Sequence, residues 1–174
     1  MRLSTEQRAA KVEAIVSDVD GVLTRGDIIF GPAGEWKIFH VQDGHGFAMA
    51  RKAGLKVALL TGRSSDAVRQ RASELQVNGV LEGVEDKGAG LVALLEKLSV
   101  EPGNACYIGD DLVDIPAMKK AGFPVAVVNA VAEVKHEAAW VTSRCGGDGA
   151  FREVVEFVLK SKGLWKDVLK RYGC

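Results

Sequence analysis

The 174-residue sequence predicts a doubly wound α/β fold, a parallel sheet with helices on both faces, with a β-hairpin flap. Three observations carry that prediction. Short apolar runs, several rich in Val and Ile, alternate with longer amphipathic runs, as in a sheet covered on both faces. Several of these runs end in acidic or hydroxyl residues, where an open parallel sheet presents the carboxyl ends of its strands to ligands. Between the first and second runs, "DIIFGPAGEWKIFHVQDG" places two β-type stretches around "GPAG", which reads as a hairpin and not as a helix.

In chain order, strands are expected at residues 14–19, 56–60, 79–81, 105–108, 125–128 and 139–141. Helices are expected at 46–52, 66–75, 88–98, 112–121 and 131–137. In the third of these, Leu91, Leu94, Leu95 and Leu98 share one face. The hairpin takes residues 27–44, and "GGDGAFREVVEFVLKSKG" gives a glycine-rich loop and a long helix. A short helical tail follows over 163–174, where Trp165 and Tyr172 have packing rather than ligand spacing. No repeat or linker divides the chain, so residues 1–174 are read as a single domain.

Composition excludes several functions. Lys plus Arg and Asp plus Glu are both 23, so no bulk charge draws the chain to nucleic acid or to an anionic membrane. No apolar run reaches transmembrane length, and "MRLSTEQRAAKVEA" has no apolar signal core. Cys106, Cys145 and Cys174 are odd in number and lack metal-type spacing, which fits free thiols in a reducing cytoplasm.

The chemistry is concentrated at strand ends. Asp18 and Asp20 close the first strand, and Asp110, Asp111 and Asp114 follow the fourth in "YIGDDLVD". Carboxylates brought this close repel one another unless a cation lies between them, and a hard divalent ion such as Mg²⁺ suits oxygen ligands. Thr61 and Gly62 in "LLTGR" add a hydroxyl and an open backbone, and Lys87 adds an ammonium at a helix start. Together these groups suit the oxygens of a phosphoryl group. Each residue also has an ordinary reading: Asp-x-Asp-Gly as a solvated turn, Thr61 as a helix cap, Lys87 as a surface lysine, and Arg63 and Arg71 as a solvated helix face. The ordered set is what separates the chemical reading from these.

That set, Asp18-x-Asp20, Thr61, Lys87 and "GDDLVD", resembles the haloacid-dehalogenase-type phosphatases over nearly the whole chain. Within them, "DVDGVLT", "GEWKIFHVQDGHG", "LLTGR", "IGDDLVDIPAMKKAGFPVAV" and "GGDGAFREV" resemble the 3-deoxy-D-manno-octulosonate 8-phosphate (KDO 8-phosphate) phosphatases, cytoplasmic enzymes of lipopolysaccharide sugar synthesis. The resemblance implies an aspartyl-phosphate mechanism with Asp18 as nucleophile and Asp20 as general acid and base. It implies Mg²⁺ held by Asp18, Asp110 and the backbone carbonyl of Asp20, with Asp111 and Asp114 supporting the metal and Lys87 from behind. Thr61 and Lys87 would hold the phosphoryl group. His40, Val41, Gln42, Asp43 and Gly44 would form a substrate loop, with Gly62, Arg63 and Arg71 also contacting the sugar acid. Ala48 stands where the family often has an arginine, which leaves a nine-carbon keto-acid phosphate as an alternative substrate.

Two other classes compete. A receiver-type signalling domain also uses acids, Thr and Lys, but its lysine comes last, whereas Lys87 precedes the second acidic cluster. A non-catalytic phosphatase-like assembly module can lose acids, and this chain keeps all of them. The spacings from Asp20 to Thr61 and from Thr61 to Lys87 leave no room for an inserted cap domain. An apolar hairpin is marginal alone, so the sites are expected to be completed by a neighbouring subunit, as in the homotetramers formed by capless relatives.

Overall fold

Each of the six apolar runs assigned to the sheet is a strand. The computed structural model describes residues 3–32 and 34–173; Cys174 and the alanine of the "GPAG" turn lie outside them. The strands are β1 (Ala14–Ser17), β4 (Lys56–Leu60), β5 (Gly79–Leu81), β6 (Ala105–Gly109), β7 (Phe123–Ala126) and β8 (Trp140–Val141), with β2 (Ile29–Gly31) and β3 (Gly34–Trp36) forming the hairpin between the first two. The main sheet has the order β5-β4-β1-β6-β7-β8, and all its pairings are parallel. The chain runs outward from β1 through β4 and β5, then crosses back to β6 on the other side. This reversal beside β1 opens the crevice in which such sheets bind ligands.

The helices are α1 (Thr5–Ala10), α2 (Val41–Lys52), α3 (Asp66–Leu75), α4 (Lys87–Leu98), α5 (Ile115–Met118), α6 (Ala132–Glu137), α7 (Ala150–Ser161) and α8 (Trp165–Lys170). The first was not anticipated, although its signal is present. Ser4 and Gln7 form a reciprocal capping box, and Ala9 is fully buried. Helices α2 and α7 pack closely, with Phe47 and Phe151 stacked 3.9 Å apart. Such a pair adds about 1 kcal/mol beyond the burial of its rings.

Three boundaries differ from expectation for physical reasons. The fifth sheet strand is Phe123–Ala126, two residues earlier than the 125–128 expected, and it includes Pro124. A parallel strand tolerates proline there because the ladder to β8 begins only at Val125↔Trp140, so no strand bond is lost. The helix expected at 112–121 is a 3₁₀ turn, Leu112–Asp114, followed by the short α5, with Pro116 in its first turn. Helix α2 begins at Val41, not at residue 46, so 41–44 is the first turn of a helix and not a loop. Its glycines permit close approach. A Cβ on Gly44 would lie 2.4 Å from Arg71 Nη2, and one on Gly46 would lie 3.2 Å from the Arg152 Cα.

The hairpin pairs Ile29 with Trp36 and Phe30 with Glu35. It leaves Phe30 82% and Ile38 73% exposed, with Ile28 and Trp36 also exposed. Cys106 is buried and Cys145 exposed, and neither is paired. Among the described residues, no helix is long and apolar enough to cross a membrane.

Candidate active site

The site begins where β1 ends. Ser17 is its last residue, and the chain then turns through Asp18, Val19 and Asp20 into Gly21, at φ +85°. The Val19 carbonyl accepts hydrogen bonds from the amides of Leu23 and Thr24, which curls the backbone and frees the two carboxylates from the alternation of a strand. A Cβ on Gly21 would lie 2.0 Å from Asp110 Oδ2, so only glycine lets this turn sit against the second acidic group.

Asp18 is nearly buried. Its Oδ1 accepts from the Val19 amide at 2.7 Å, and its Oδ2 pairs with Lys87 Nζ at 2.8 Å. Lys87 opens α4, whose first amides are capped by Asp86, and its ammonium also pairs with Asp114 Oδ1 at 2.7 Å. A lone buried ammonium costs several kcal/mol, so two carboxylates at this range are what keep Lys87 charged. Burial lowers its pKa, and Asp18 and Asp114 outweigh that and raise it.

Asp114 is fully buried, and both its oxygens are engaged. Tyr107 Oη donates to Oδ1 at 2.7 Å, and the amides of Asp110 and Asp111 donate to Oδ2 at 2.9 and 3.2 Å. It therefore orients Lys87 and the loop. The Asp111 carboxylate is exposed and caps the 3₁₀ turn by accepting from the Leu112 amide, so its support is to the loop and not to Lys87.

The charges show what this centre accepts. Ligand oxygens of Asp18, Asp110 and Asp114 lie within 4.8 Å of one another. Three carboxylates against one ammonium leave a formal charge of minus two among largely buried groups. Burial first, then repulsion from Asp114, pushes Asp18 up to about 7. The same causes, joined by repulsion from Asp18, push Asp110 up to about 8. With Asp114 engaged by four donors, Asp18 and Asp110 are the carboxylates available to a cation. A hard divalent ion fits that oxygen set and that charge.

Asp20 belongs to a second, neutral group that the sequence reading missed. The hairpin carries Glu35 and Lys37 over the site. Lys37 Nζ donates to Asp20 Oδ1 at 2.5 Å and to Glu35 Oε1 at 2.7 Å, and its side chain is 1% exposed. Arg63 Nη2 donates to Glu35 Oε2 at 2.9 Å, and its Nε lies 3.9 Å from Asp20 Oδ2. Acid and base thus alternate around a ring of four. Glu35 in β3 and Lys37 just beyond it alternate with the exposed Trp36 and Ile38, which puts both charges on one side of this segment. That period-two pattern was the available signal.

Asp18, Asp20, Thr61, Gly62, Arg63, Lys87, Asp110 and Asp111 line one cavity of about 430 Å³. Thr61 is buried at the end of β4, and its Oγ1 accepts from the Arg63 amide, leaving the O–H to donate.

The proposed substrate loop is not in this cavity. His40 precedes α2 and lines a neighbouring pocket with Gly147, Val41 is 79% exposed, and Gln42 Oε1 accepts from Arg144. Asp43 is buried, accepting from the amides of Gly149 and Arg152, and Gly44 lies under Arg71. Helix formation from Val41 leaves Val41 and Gln42 at the surface and turns Asp43 toward α7 and Gly44 toward Arg71, so this segment is the start of a helix and not a loop. Arg71 pairs with Glu74 at 2.9 Å, lies over the Phe39 ring, and lines a second cavity of about 390 Å³ together with Lys37.

Arranged this way on a doubly wound sheet, the acids and the lysine define a class, the haloacid-dehalogenase-like hydrolases. A family model of that description, haloacid dehalogenase-like hydrolase, matches residues 80–153. The chain is 40% identical over 157 residues to 3-deoxy-D-manno-octulosonate 8-phosphate phosphatase KdsC of Escherichia coli K12, covering 90% of this chain and 84% of that protein. It is 37% identical over 159 residues to KdsC of Haemophilus influenzae, covering 91% and 88%. Among solved structures, the Moraxella catarrhalis 3-deoxy-D-manno-octulosonate 8-phosphate phosphatase, in complex with magnesium, phosphate and KDO, superimposes with a TM-score of 0.93 at 38% identity over 97% of each chain. The cobalt-bound Haemophilus influenzae phosphatase superimposes with a TM-score of 0.89 at 37% identity, over 91% of this chain and 94% of that one. The chain belongs to the 3-deoxy-D-manno-octulosonate 8-phosphate phosphatase family of the haloacid-dehalogenase superfamily.

Proposed function

We propose that this chain is a Mg²⁺-dependent phosphoric monoester hydrolase that converts KDO 8-phosphate to KDO and phosphate, working as a single domain in the cytoplasm in lipopolysaccharide sugar synthesis. The observation that carries the chemistry is the unbalanced formal charge of minus two left by Asp18, Asp110 and Asp114 around Lys87, beside the neutral ring that holds Asp20. The family's substrate, and the KDO, phosphate and magnesium of the Moraxella catarrhalis structure, support the choice of ligand.

In this reading an Asp18 oxygen attacks phosphorus, and the P–O bond to the sugar breaks. Asp20, in its protonated form, gives its proton to the departing sugar oxygen. Asp20 then takes a proton from water as that water attacks the aspartyl-phosphate, releasing phosphate and restoring the Asp18 carboxylate. Lys87 and the Thr61 hydroxyl hold phosphoryl oxygens, and Asp114 holds Lys87. A divalent cation bound by Asp18, Asp110 and the Asp20 backbone carbonyl would supply positive charge opposite the phosphoryl oxygens. Arg63, half-exposed at the mouth, is the group available to the sugar carboxylate, with Arg71 lining the second cavity.

Phosphate release from a panel of sugar phosphates tests the function. The expected result is the highest kcat/KM on KDO 8-phosphate, abolished by chelator and restored by Mg²⁺. A higher value on a nine-carbon keto-acid phosphate would shift the substrate, consistent with Ala48, and full activity in excess chelator would contradict the metal.

Lys37 is expected to matter for Asp20. Lys37→Met removes the only donor within 3 Å of the Asp20 carboxylate among the described residues. It should lower kcat about 10–100-fold with little change in KM, since misplacing a reacting group by an ångström costs this much. Steady-state kinetics with an unchanged kcat would contradict this.

The assembly is proposed as a homotetramer in which the exposed hairpins pack together. Ile28, Phe30, Trp36, Ile38 and Val41 make an apolar surface larger than a solvated flap requires. Light scattering should give four chains per particle, and Phe30→Glu should yield smaller species with lower activity on KDO 8-phosphate. A wild-type monomer with full specific activity would overturn the shared-site arrangement.

A further inference from the structure

The "GGDG" loop and Asp43 have no part in the chemistry above, yet they meet the catalytic turn from behind. Asp43 is 3% exposed. Its Oδ1 accepts from the Arg152 amide at 2.8 Å and its Oδ2 from the Gly149 amide at 3.3 Å. These are amides at the start of α7, whose N-cap position, Gly149, offers no side-chain cap. A carboxylate from α2 therefore fixes where α7 begins. The loop entering α7 lies directly on the turn after Asp20. The Gly147 amide donates to the Val22 carbonyl at 2.9 Å, and the Gly146 amide donates to Asn129 Oδ1 at 2.8 Å. A Cβ on Gly146 would lie 1.7 Å from the Gly21 carbonyl oxygen, and one on Gly147 would lie 2.5 Å from the Arg25 nitrogen. Gly21 in turn sits against the Asp110 carboxylate. Where the Gly146–Gly147 loop meets Gly21–Arg25 the closest contacts are backbone on backbone, so a shift of the loop is passed to the turn.

We propose that Asp43 is a positioning residue: by capping α7 it seats the Gly146–Gly147 loop against Gly21–Arg25, and so sets the turn that carries Asp18 and Asp20. The role differs from the substrate contact that the family resemblance implied for Asp43. It rests on the phosphatase reading of the same site.

The test compares wild type, Asp43→Asn, Asp43→Ala and Gly146→Ala as full chains, well below their melting temperatures. Activity is read on p-nitrophenyl phosphate and on KDO 8-phosphate, and Mg²⁺ affinity by calorimetry. Asn keeps one acceptor and Ala keeps none. The expected kcat losses are therefore graded, about 10-fold for Asn and about 10²-fold for Ala, and the same on both substrates, with KM unchanged. Mg²⁺ should bind several-fold more weakly in the same order, because the Asp110 seat moves with Gly21. Gly146→Ala should reproduce both losses while leaving Asp43 intact, and it decides the matter if neither Asp43 variant folds. A KM increase confined to KDO 8-phosphate overturns the proposal in favour of substrate contact. A lower melting temperature with unchanged kcat and Mg²⁺ affinity overturns it in favour of a plain helix cap. Wild type without Mg²⁺-dependent turnover of either substrate refutes the phosphatase reading itself.

Discussion

Asp18→Asn should reduce phosphate release to background on every substrate. An amide oxygen cannot attack phosphorus and carry away a stable acyl phosphate, and it is a poorer ligand for a hard cation. The same change should not destabilise the metal-free protein at neutral or alkaline pH. Asp18 has a folded-state pKa near 7, raised from 3.8 by burial and by Asp114. A carboxyl group so raised holds its proton more tightly folded than unfolded. Its contribution to stability is therefore lost as pH rises from about 4 through 7. Asparagine removes that loss, so the variant should gain melting temperature relative to wild type between pH 5 and pH 8 when both are stripped of metal. Residual turnover above background would remove Asp18 from the nucleophile role. A variant destabilised at pH 8 would mean that the charge is better compensated than the geometry indicates.

Asp20→Asn should slow KDO 8-phosphate hydrolysis by about 10²–10⁴-fold, the range for loss of a general acid–base group. The two half-reactions should separate with the leaving group. Departure of a sugar alkoxide needs a proton, whereas p-nitrophenolate leaves without one. On p-nitrophenyl phosphate the variant should therefore keep a rapid first turnover and lose the steady state, because water still lacks its base. A pre-steady-state burst is the signature. Equal losses on both substrates with no burst would mean that Asp20 serves only to shape the turn.

The parts of the site that could be read from sequence are those that the fold places by rule. Asp18, Asp20, Thr61, Lys87 and Asp110 all follow strands, and a parallel sheet gathers strand ends beside its crossover. Lys87 taken alone reads as a surface lysine; its place in the ordered set marks it, and the structure puts Asp18 and Asp114 on either side of it. What escaped depended on long-range contacts. Glu35 and Lys37 are near-neighbours of Asp20 in space only because the hairpin folds back over β1. The family resemblance, and not the spacing of "VQDGHG", is what suggests a substrate role for Asp43, and the residue pattern alone does not show that the segment is the first turn of α2. Its glycines instead allow α2 to pack against Arg71 and α7, and the carboxylate turns inward to cap α7. Pro124 and Pro116 shifted a strand and a helix for reasons that only the register of neighbouring strands and turns reveals.

The most direct test of the account is acid quenching of Asp20→Asn during its first turnover of ³²P-labelled p-nitrophenyl phosphate in Mg²⁺, followed by peptide mapping. The account predicts about one label per site, on the peptide containing Asp18, released by hydroxylamine as an acyl phosphate and absent from the Asp18→Asn/Asp20→Asn double variant. No covalent label under burst conditions, or a label that persists without Asp18, would contradict it.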